Sequence, residues 1–500
     1  MLGAAFLACI LVLTRATLQG PSGFDLGNRA VQPRSPSSQD GYGATCEKIA
    51  RSISSASQVF YPWSQDFDSD IAHWTNSSSQ VSACSVEPGT PNDVGLILRE
   101  IAHSRVSFAV KGGGHAYNPG FSSTLGVHIS MARFKDIIIH EERGTVEIGA
   151  GLTWTDVYAY LVPKGLNVVG GRLNGVGVAG LTLGGGYSWK TNEYGLTMDT
   201  VTEFEVVLPC GEVKVVTEQD EDLWFALKGG FNNYGIVTKF TLKSHTQTDV
   251  WGALLSFGGD LADPAQTAFA NYIAQQHDPR AAQLGSFVYS NGSVLFGISL
   301  FYDGPSPPEG LYDDLLNMPT TTKSIFNGSF TDFVSTQFIP LNKRAYFDGV
   351  PMLHYTKPIM EAFTNETQFW GDRLSQYDDN VLVAYGIDPF EPDILTHGGP
   401  SAYPPDRSRV FLPSSAYRGW TNESADEHMA DSLRLSTAAL IEAGTRDGQD
   451  LENAAPYVNY ALFGTPLELM YGSEHLKRLA EIKQKYDPGD IMGLTGGWKL

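Results

Sequence analysis

The most reactive arrangement in the sequence is a histidine closing a glycine run, Lys111-Gly112-Gly113-Gly114-His115-Ala116-Tyr117-Asn118, directly after an apolar stretch ending at Val110. Consecutive glycines let backbone amides turn toward one point, and such a nest holds a pyrophosphate without any cationic side chain. No Gly-Lys-Ser/Thr closes the loop and its spacing is not GxGxxG, so it is neither a Walker loop nor a Rossmann turn. On this motif alone, an ordinary structural turn carrying a histidine is the commoner reading.

A second run, from Gly170-Gly171-Arg172-Leu173-Asn174 through Gly186, holds eight glycines in seventeen residues, interrupted by Val and Leu rather than Ser and Asp. That texture describes backbone packed against something large and flat, either a flavin ring or a tight glycine-packed corner, and not a loose linker. A third stretch, Asp222 to Leu242, reads as a helix entering a glycine turn at Gly229, Gly230 and Gly235 and then a strand. Near the end, Tyr457-Val458-Asn459-Tyr460 places two phenols three residues apart. A phenol, with an ordinary pKa of about 10, is useful as a base only where positive charge or donors lower that value. Lys190, after Tyr187-Ser188-Trp189, is a candidate helper; as core aromatics on a strand, the two tyrosines would need none.

The elements that must position these residues are partly legible. Apolar residues at 94, 97, 98 and 101 give one buried helix face over 91–103, with Pro91 near its start. Strand-like runs cover 106–110 and 146–149. Ser473 can cap a helix in which Leu476, Leu479, Ile482 and Tyr486 share a face, stopped at Asp487-Pro488-Gly489. From about 245 to 450 the glycine motifs disappear, which suggests a separate substrate-facing domain.

Five hundred residues exceed what one core supports, roughly 250 to 300. Acidic residues outnumber basic ones 55 to 34, and a net charge of −21 repels nucleic acid and anionic membrane alike. The first twenty residues read as a secretory signal peptide, with an apolar run too short to span a bilayer, and 21–44 as a flexible Ser/Pro/Gly arm. Sequons at Asn76, Asn291, Asn327, Asn365 and Asn422 point the same way and are expected to be glycosylated. In an oxidising compartment Cys46 and Cys84 form the natural disulfide, leaving Cys210 as a free, partly buried thiol. No metal site is expected.

The three glycine motifs and the tail, in that order and spacing, resemble the FAD-binding domain of the vanillyl-alcohol oxidase and para-cresol methylhydroxylase (PCMH) superfamily, in its berberine-bridge-enzyme-like branch. The resemblance covers roughly Cys46 to Leu242 and resumes at Tyr457–Tyr460 and Tyr486–Asp490, while about 200 residues between match weakly. It implies an α+β fold: a two-subdomain PCMH-type FAD-binding domain over 45–244, a substrate domain over 245–450 with an antiparallel sheet covered by helices, and a berberine-bridge-like segment over 451–500 returning to the FAD domain.

The resemblance further implies FAD bonded covalently through its 8α-methyl group to His115. Lys111, Gly112, Gly113, Gly114 and Asn118 would contact the cofactor from the first motif, Val176, Gly177, Gly180 and Gly184 from the second, and Gly235, Ile236 and Val237 from the third. Asn459 would touch the flavin, and Tyr460 would be the general base. Relatives with a second covalent link carry cysteine where Leu173 stands, so a single histidyl link is expected. Val176 occupies the family's oxygen gate, where a small residue accompanies oxidases rather than dehydrogenases. The implied function is a secreted, monomeric FAD-dependent oxidase passing hydride from a small organic substrate, a secondary-metabolite intermediate or alcohol, to FAD and then to O2. Alternatives are a carbohydrate oxidase acting at an anomeric hydroxyl, an oxidative cyclase, and a flavin-retaining binding protein without turnover.

Overall fold

A computed structural model describes residues 39–275, 277–337 and 343–500. The expected leader over 1–20 and most of the arm lie outside the described residues. Residues 39–44, expected as loose chain, are instead the first turns of the helix Gln39–Ser52. The reason is an apolar stripe one turn apart: Tyr42 packs on the core, and Cys46 and Ile49 are fully buried. Cys46 is disulfide-bonded to Cys84, which fastens this helix to the strand Cys84–Glu87 across 38 residues of chain.

The helix Pro91–Ser104 forms where its spacing predicts, with Val94, Ile97, Leu98 and Ile101 fully buried. Thr90 caps it by accepting from the Asp93 amide, and Arg105 ends it in the left-handed region. It connects two strands of a four-stranded sheet in the order Gln58–Phe60, Cys84–Glu87, Val127–Ser130, Phe108–Lys111, in which the last three strands run parallel. A second, antiparallel sheet has the order Ile137–His140, Thr145–Gly149, Ile236–Lys243, Val201–Val207, Val213–Val216. These are the two subdomains of the first domain.

The strand His245–Thr246 still pairs with Leu166–Asn167 of the first domain. The new domain opens at Val250–Phe257, within a seven-stranded antiparallel sheet that ends with Leu382–Ile387, Leu412–Trp420 and Arg344–Met352. The helices Lys357–Leu374 and Asp426–Arg446 pack on it. Along Arg344–Met352 the period of two sorts the side chains: Asp348 accepts from Thr437 on the helix face, while Phe347 lies against Tyr117 of the first domain. The tail packs on the first domain, with Thr495 bridging Phe108 and Trp498 edge-on to Phe121. The helical segment Leu467–Tyr486 is broken at Gly472 (φ +64), and the helix carrying Leu476, Leu479, Ile482 and Tyr486 begins at that break. Ser473, the first residue after the break, donates to Glu468 Oε1 instead of accepting from a helix amide.

Candidate functional site

The strand Phe108–Lys111 delivers the first glycine loop against the second. A Cβ on Gly113 would lie 2.4 Å from Gly177 Cα, and one on Gly177 would lie 2.6 Å from the Gly113 amide nitrogen. Two backbones in this contact leave room for no side chain. The Gly177 segment is itself held by a bridge to Thr153 and by the Trp154 amide donating to Val176 O at 2.9 Å. Beyond the contact, Gly180 is exposed and nothing would meet its Cβ, so the paired loops border open space. Such a backbone cradle suits the diphosphate and flat ring of a dinucleotide. Not every glycine serves it: Gly170 and Gly171 pack on the Trp154 indole, where a Cβ would come within 2.2 and 2.7 Å of the ring.

His115 stacks on Trp74 with centroids 4.6 Å apart and planes 14° apart, and the Trp74 amide donates to Gly114 O at 2.9 Å. Burial lowers the His115 pKa to about 4, which keeps the imidazole neutral and leaves one ring nitrogen a lone pair. Lys111 does not contact the loop amides. Its ammonium runs beneath Gly114 and donates to Asp70 O at 2.5 Å and Ser69 O at 3.2 Å, because the carbonyls ending the helix Gln65–Ile71 attract a buried cation. Asn118 also serves the protein, donating to Ala461 O and accepting from the Phe463 amide, both at 2.9 Å. With Tyr117, whose hydroxyl donates to Asn459 O at 3.0 Å, it pins the tail over the first loop.

The tail brings Asn459 to the second loop. Its amide covers Gly184, where a Cβ would meet it at 2.5 Å, and it donates to Tyr457 OH at 2.8 Å. The third motif stays a layer away. Gly235 adopts φ +143 and approaches Val207 O so closely that a Cβ there would strike it, and Ile236 and Val237 pair with Val207 and Val206 inside the five-stranded sheet. Ala150 links that strand to the first loop: its amide donates to Thr238 O and its carbonyl faces Gly112.

Tyr460 lies in a turn rather than a strand, its amide donating to Tyr457 O. Its hydroxyl accepts from Arg172 Nη2 at 3.0 Å and stands 3.5 Å from Asp388 Oδ2. Arg172 and Asp388 form a buried ion pair at 2.6 Å. Burial, with Asp388 adding to it, raises the Tyr460 pKa well above the usual phenol value; Arg172 opposes the shift without reversing it. Tyr460 is therefore a protonated phenol, and a substrate proton can enter this group only if the phenol's own proton leaves toward Asp388. Phe347 lies near-parallel to Tyr460 at 6.2 Å, and Tyr457 meets it edge-on at 4.9 Å.

Lys190 does not help Tyr460. It is buried at the domain boundary, where it pairs with Asp303 and donates to Gln247 Oε1 at 3.2 Å. Cys210, expected partly buried, is exposed on its turn. Trp74, Arg172, Phe347 and Asp388 were not singled out by sequence. For Arg172 a signal existed, a lone charge inside an otherwise apolar glycine run; Asp388 and Phe347 lie where the sequence carries no motif. Among the described residues there is no cluster of three or more potential metal ligands, and no helix is long and apolar enough to cross a membrane.

Residues 82–217 match the family model described as an FAD binding domain, and 456–492 match the model described as berberine and berberine like. These spans contain the first two glycine loops and the Asn459–Tyr460 tail. The FAD-dependent monooxygenase macF of Penicillium terrestre is 36% identical over 96% of this chain and 95% of its own length. An uncharacterized FAD-linked oxidoreductase of Arthroderma benhamiae is also 36% identical, over 55% of this chain and 56% of that protein. The crystal structure of 6-hydroxy-D-nicotine oxidase from Arthrobacter nicotinovorans superposes with a TM-score of 0.76 over 89% of this chain and 98% of that one, at 19% identity. At that identity the likeness concerns the fold.

Proposed function

This chain belongs to the FAD-linked oxidoreductases of the vanillyl-alcohol oxidase and PCMH superfamily, in the berberine-bridge-like branch, and we propose that it is an oxidase of a small organic molecule whose FAD is held by one covalent bond to His115. The observation that carries this reading is the buried group Arg172–Asp388–Tyr460, brought together from the first domain, the second domain and the tail. When bound, FAD accepts two electrons from the substrate and passes them on.

The chain's own residues fit that cofactor. The Gly113–Gly177 contact and the open space at Gly180 would receive it, Asn459 would lie at the flavin edge of the second loop, and neutral His115 would supply the bonding nitrogen. Leu173 offers no thiol for a second bond. Tyr460 takes a proton from a substrate hydroxyl as its own passes to Asp388, across a gap of 3.5 Å that closes in the working complex. Arg172 holds both partners in place, through its buried ion pair with Asp388 and its bond to the Tyr460 hydroxyl. Val176, small and partly buried on the second loop, supports access of O2. The name of the Penicillium terrestre relative favours a second reading, in which an oxygen atom enters the product.

Secretion and glycosylation belong to the same proposal. The Cys46–Cys84 disulfide and the exposure of Asn76, Asn291, Asn327, Asn365 and Asn422 support them. The test is anaerobic addition of pooled aromatic alcohols, polyketide-like compounds and sugars, followed by readmission of air. Flavin bleaching by one pool and release of stoichiometric hydrogen peroxide is the expected result. Bleaching with labelled oxygen in the product and no peroxide establishes the monooxygenase reading, and no bleaching by any pool establishes a binding protein.

A further inference from the structure

We propose that the site beside Tyr460 takes a flat, conjugated ring bearing a neutral carbonyl oxygen, and that Arg172 Nη1 is the donor that holds this oxygen. The inference rests on the placement of the active site at Arg172, Asp388 and Tyr460, and adds the substrate class.

Arg172 uses only half of its fork. Nη2 serves Asp388 and Tyr460, whereas Nη1 is buried and has no partner in the protein. A buried guanidinium nitrogen without an acceptor is rare, and a bound ligand is one of its ordinary explanations. The ion pair with Asp388 decides which ligand fits. Because the carboxylate at 2.6 Å already balances the guanidinium, Nη1 offers hydrogen bonds without net positive charge. A carboxylate or phosphate would meet Asp388 as a like charge, and a carbonyl oxygen would not.

The surroundings select the rest of the molecule. Aromatic rings dominate: Phe347 and Tyr417 are cross-strand neighbours with tilted rings 4.8 Å apart, and the Arg172 guanidinium lies 5.5 Å over Phe390, which stacks on Tyr187. The polar groups nearby are already engaged, since Tyr457 OH accepts from both Gly186 and Asn459. A sugar with a hydroxyl on nearly every carbon would find few partners here, whereas a planar ring with one acceptor beside its oxidisable hydroxyl would find both.

The test titrates holoenzyme with coumarin, a flat lactone with a conjugated carbonyl, and follows perturbation of the flavin absorption band; benzoate and cellobiose are the comparators. Coumarin is expected to bind more tightly than either, and Arg172→Met is expected to weaken it by roughly tenfold to a hundredfold, the range of a hydrogen bond to a charged donor. Because Arg172→Met strands a buried carboxylate, Arg172→Met with Asp388→Asn is measured as well, and it too must lose coumarin affinity. Equal coumarin affinity in wild type and the double variant assigns Nη1 to another partner and overturns the proposal, as does tighter binding of benzoate or cellobiose. Binding is read without turnover, so failure here leaves the peroxide test of the oxidase reading independent.

Discussion

Arg172 Nη2 stands 2.6 Å from Asp388 Oδ2, an ion pair that joins two domains across 216 residues of chain, with each side chain only 8% exposed. A pair this deep repays its desolvation only while both members are present. Arg172→Met or Asp388→Asn alone is therefore expected to destabilise the protein by about 3–5 kcal/mol. The double variant should recover most of that loss, since no buried charge is left behind. Chemical denaturation of the four proteins measures the coupling; additive losses would show that the pair does not hold the domains together.

Tyr460→Phe removes the hydroxyl and keeps the ring that packs near Phe347 and Tyr457. Stability should change little, while the rate of flavin reduction should fall roughly a hundredfold to ten-thousandfold, the usual contribution of a positioned proton-transfer group. Rapid-mixing reduction with the substrate found by the pooled screen gives the rate. A fall of less than a few-fold would move the proton-transfer role to Asp388 alone.

What was legible in the sequence was what is local in the chain. The loop at Gly112–His115, the helix Pro91–Ser104 and the Asn459–Tyr460 tail each carry their pattern within a few residues, and each forms where that pattern places it. The partners were not legible because long crossovers bring them. Trp74 meets His115 through a preceding helix and turn, and Asp388 meets Arg172 only once the seven-stranded sheet has formed. Lys111 was placed beside the cofactor by the resemblance alone, and only the fold shows backbone carbonyls holding its ammonium.

The Gly113–Gly177 contact predicts a cofactor defect rather than a folding one. Gly177→Ala would set a methyl group 2.6 Å from the Gly113 amide nitrogen, and both backbones would have to part. The expected outcome is a folded protein with reduced FAD content, measured by the ratio of flavin to protein absorbance after purification. Gly180→Ala, whose Cβ meets no protein atom, probes the open space: loss of FAD there as well marks that space as the cofactor's.

The covalent bond has its own test at His115. Denatured wild-type protein should keep a flavin-fluorescent band through acid and detergent, and His115→Ala should lose it while the disulfide and fold persist. Because His115 is neutral down to about pH 4, incorporation of added FAD into apoprotein should not weaken between about pH 7 and about pH 5, as it would for an unshifted imidazole. Release of free FAD from the wild type on acid denaturation would rule the bond out.

Glu193 gives the domain boundary a pH dependence whose sign can be worked out. Burial raises its pKa from 4.5 to about 7, with Asp303 adding to the shift, while Lys190 opposes it. His245 stacks on the neighbouring Tyr194 at 3.7 Å, and burial lowers its pKa to about 4, so it stays neutral as Glu193 titrates. The folded state thus holds the Glu193 proton more tightly than the unfolded chain does. The stability this contributes is fully present below 4.5 and is lost as pH rises through about 7, where a second carboxylate must share one ammonium with Asp303. Glu193→Gln should therefore match wild type in melting temperature near pH 5 and exceed it near pH 8, where the substituted amide has no charge to bury. Melting curves of the two proteins across that range decide it, and parallel curves would mean that Glu193 ionises freely at the boundary.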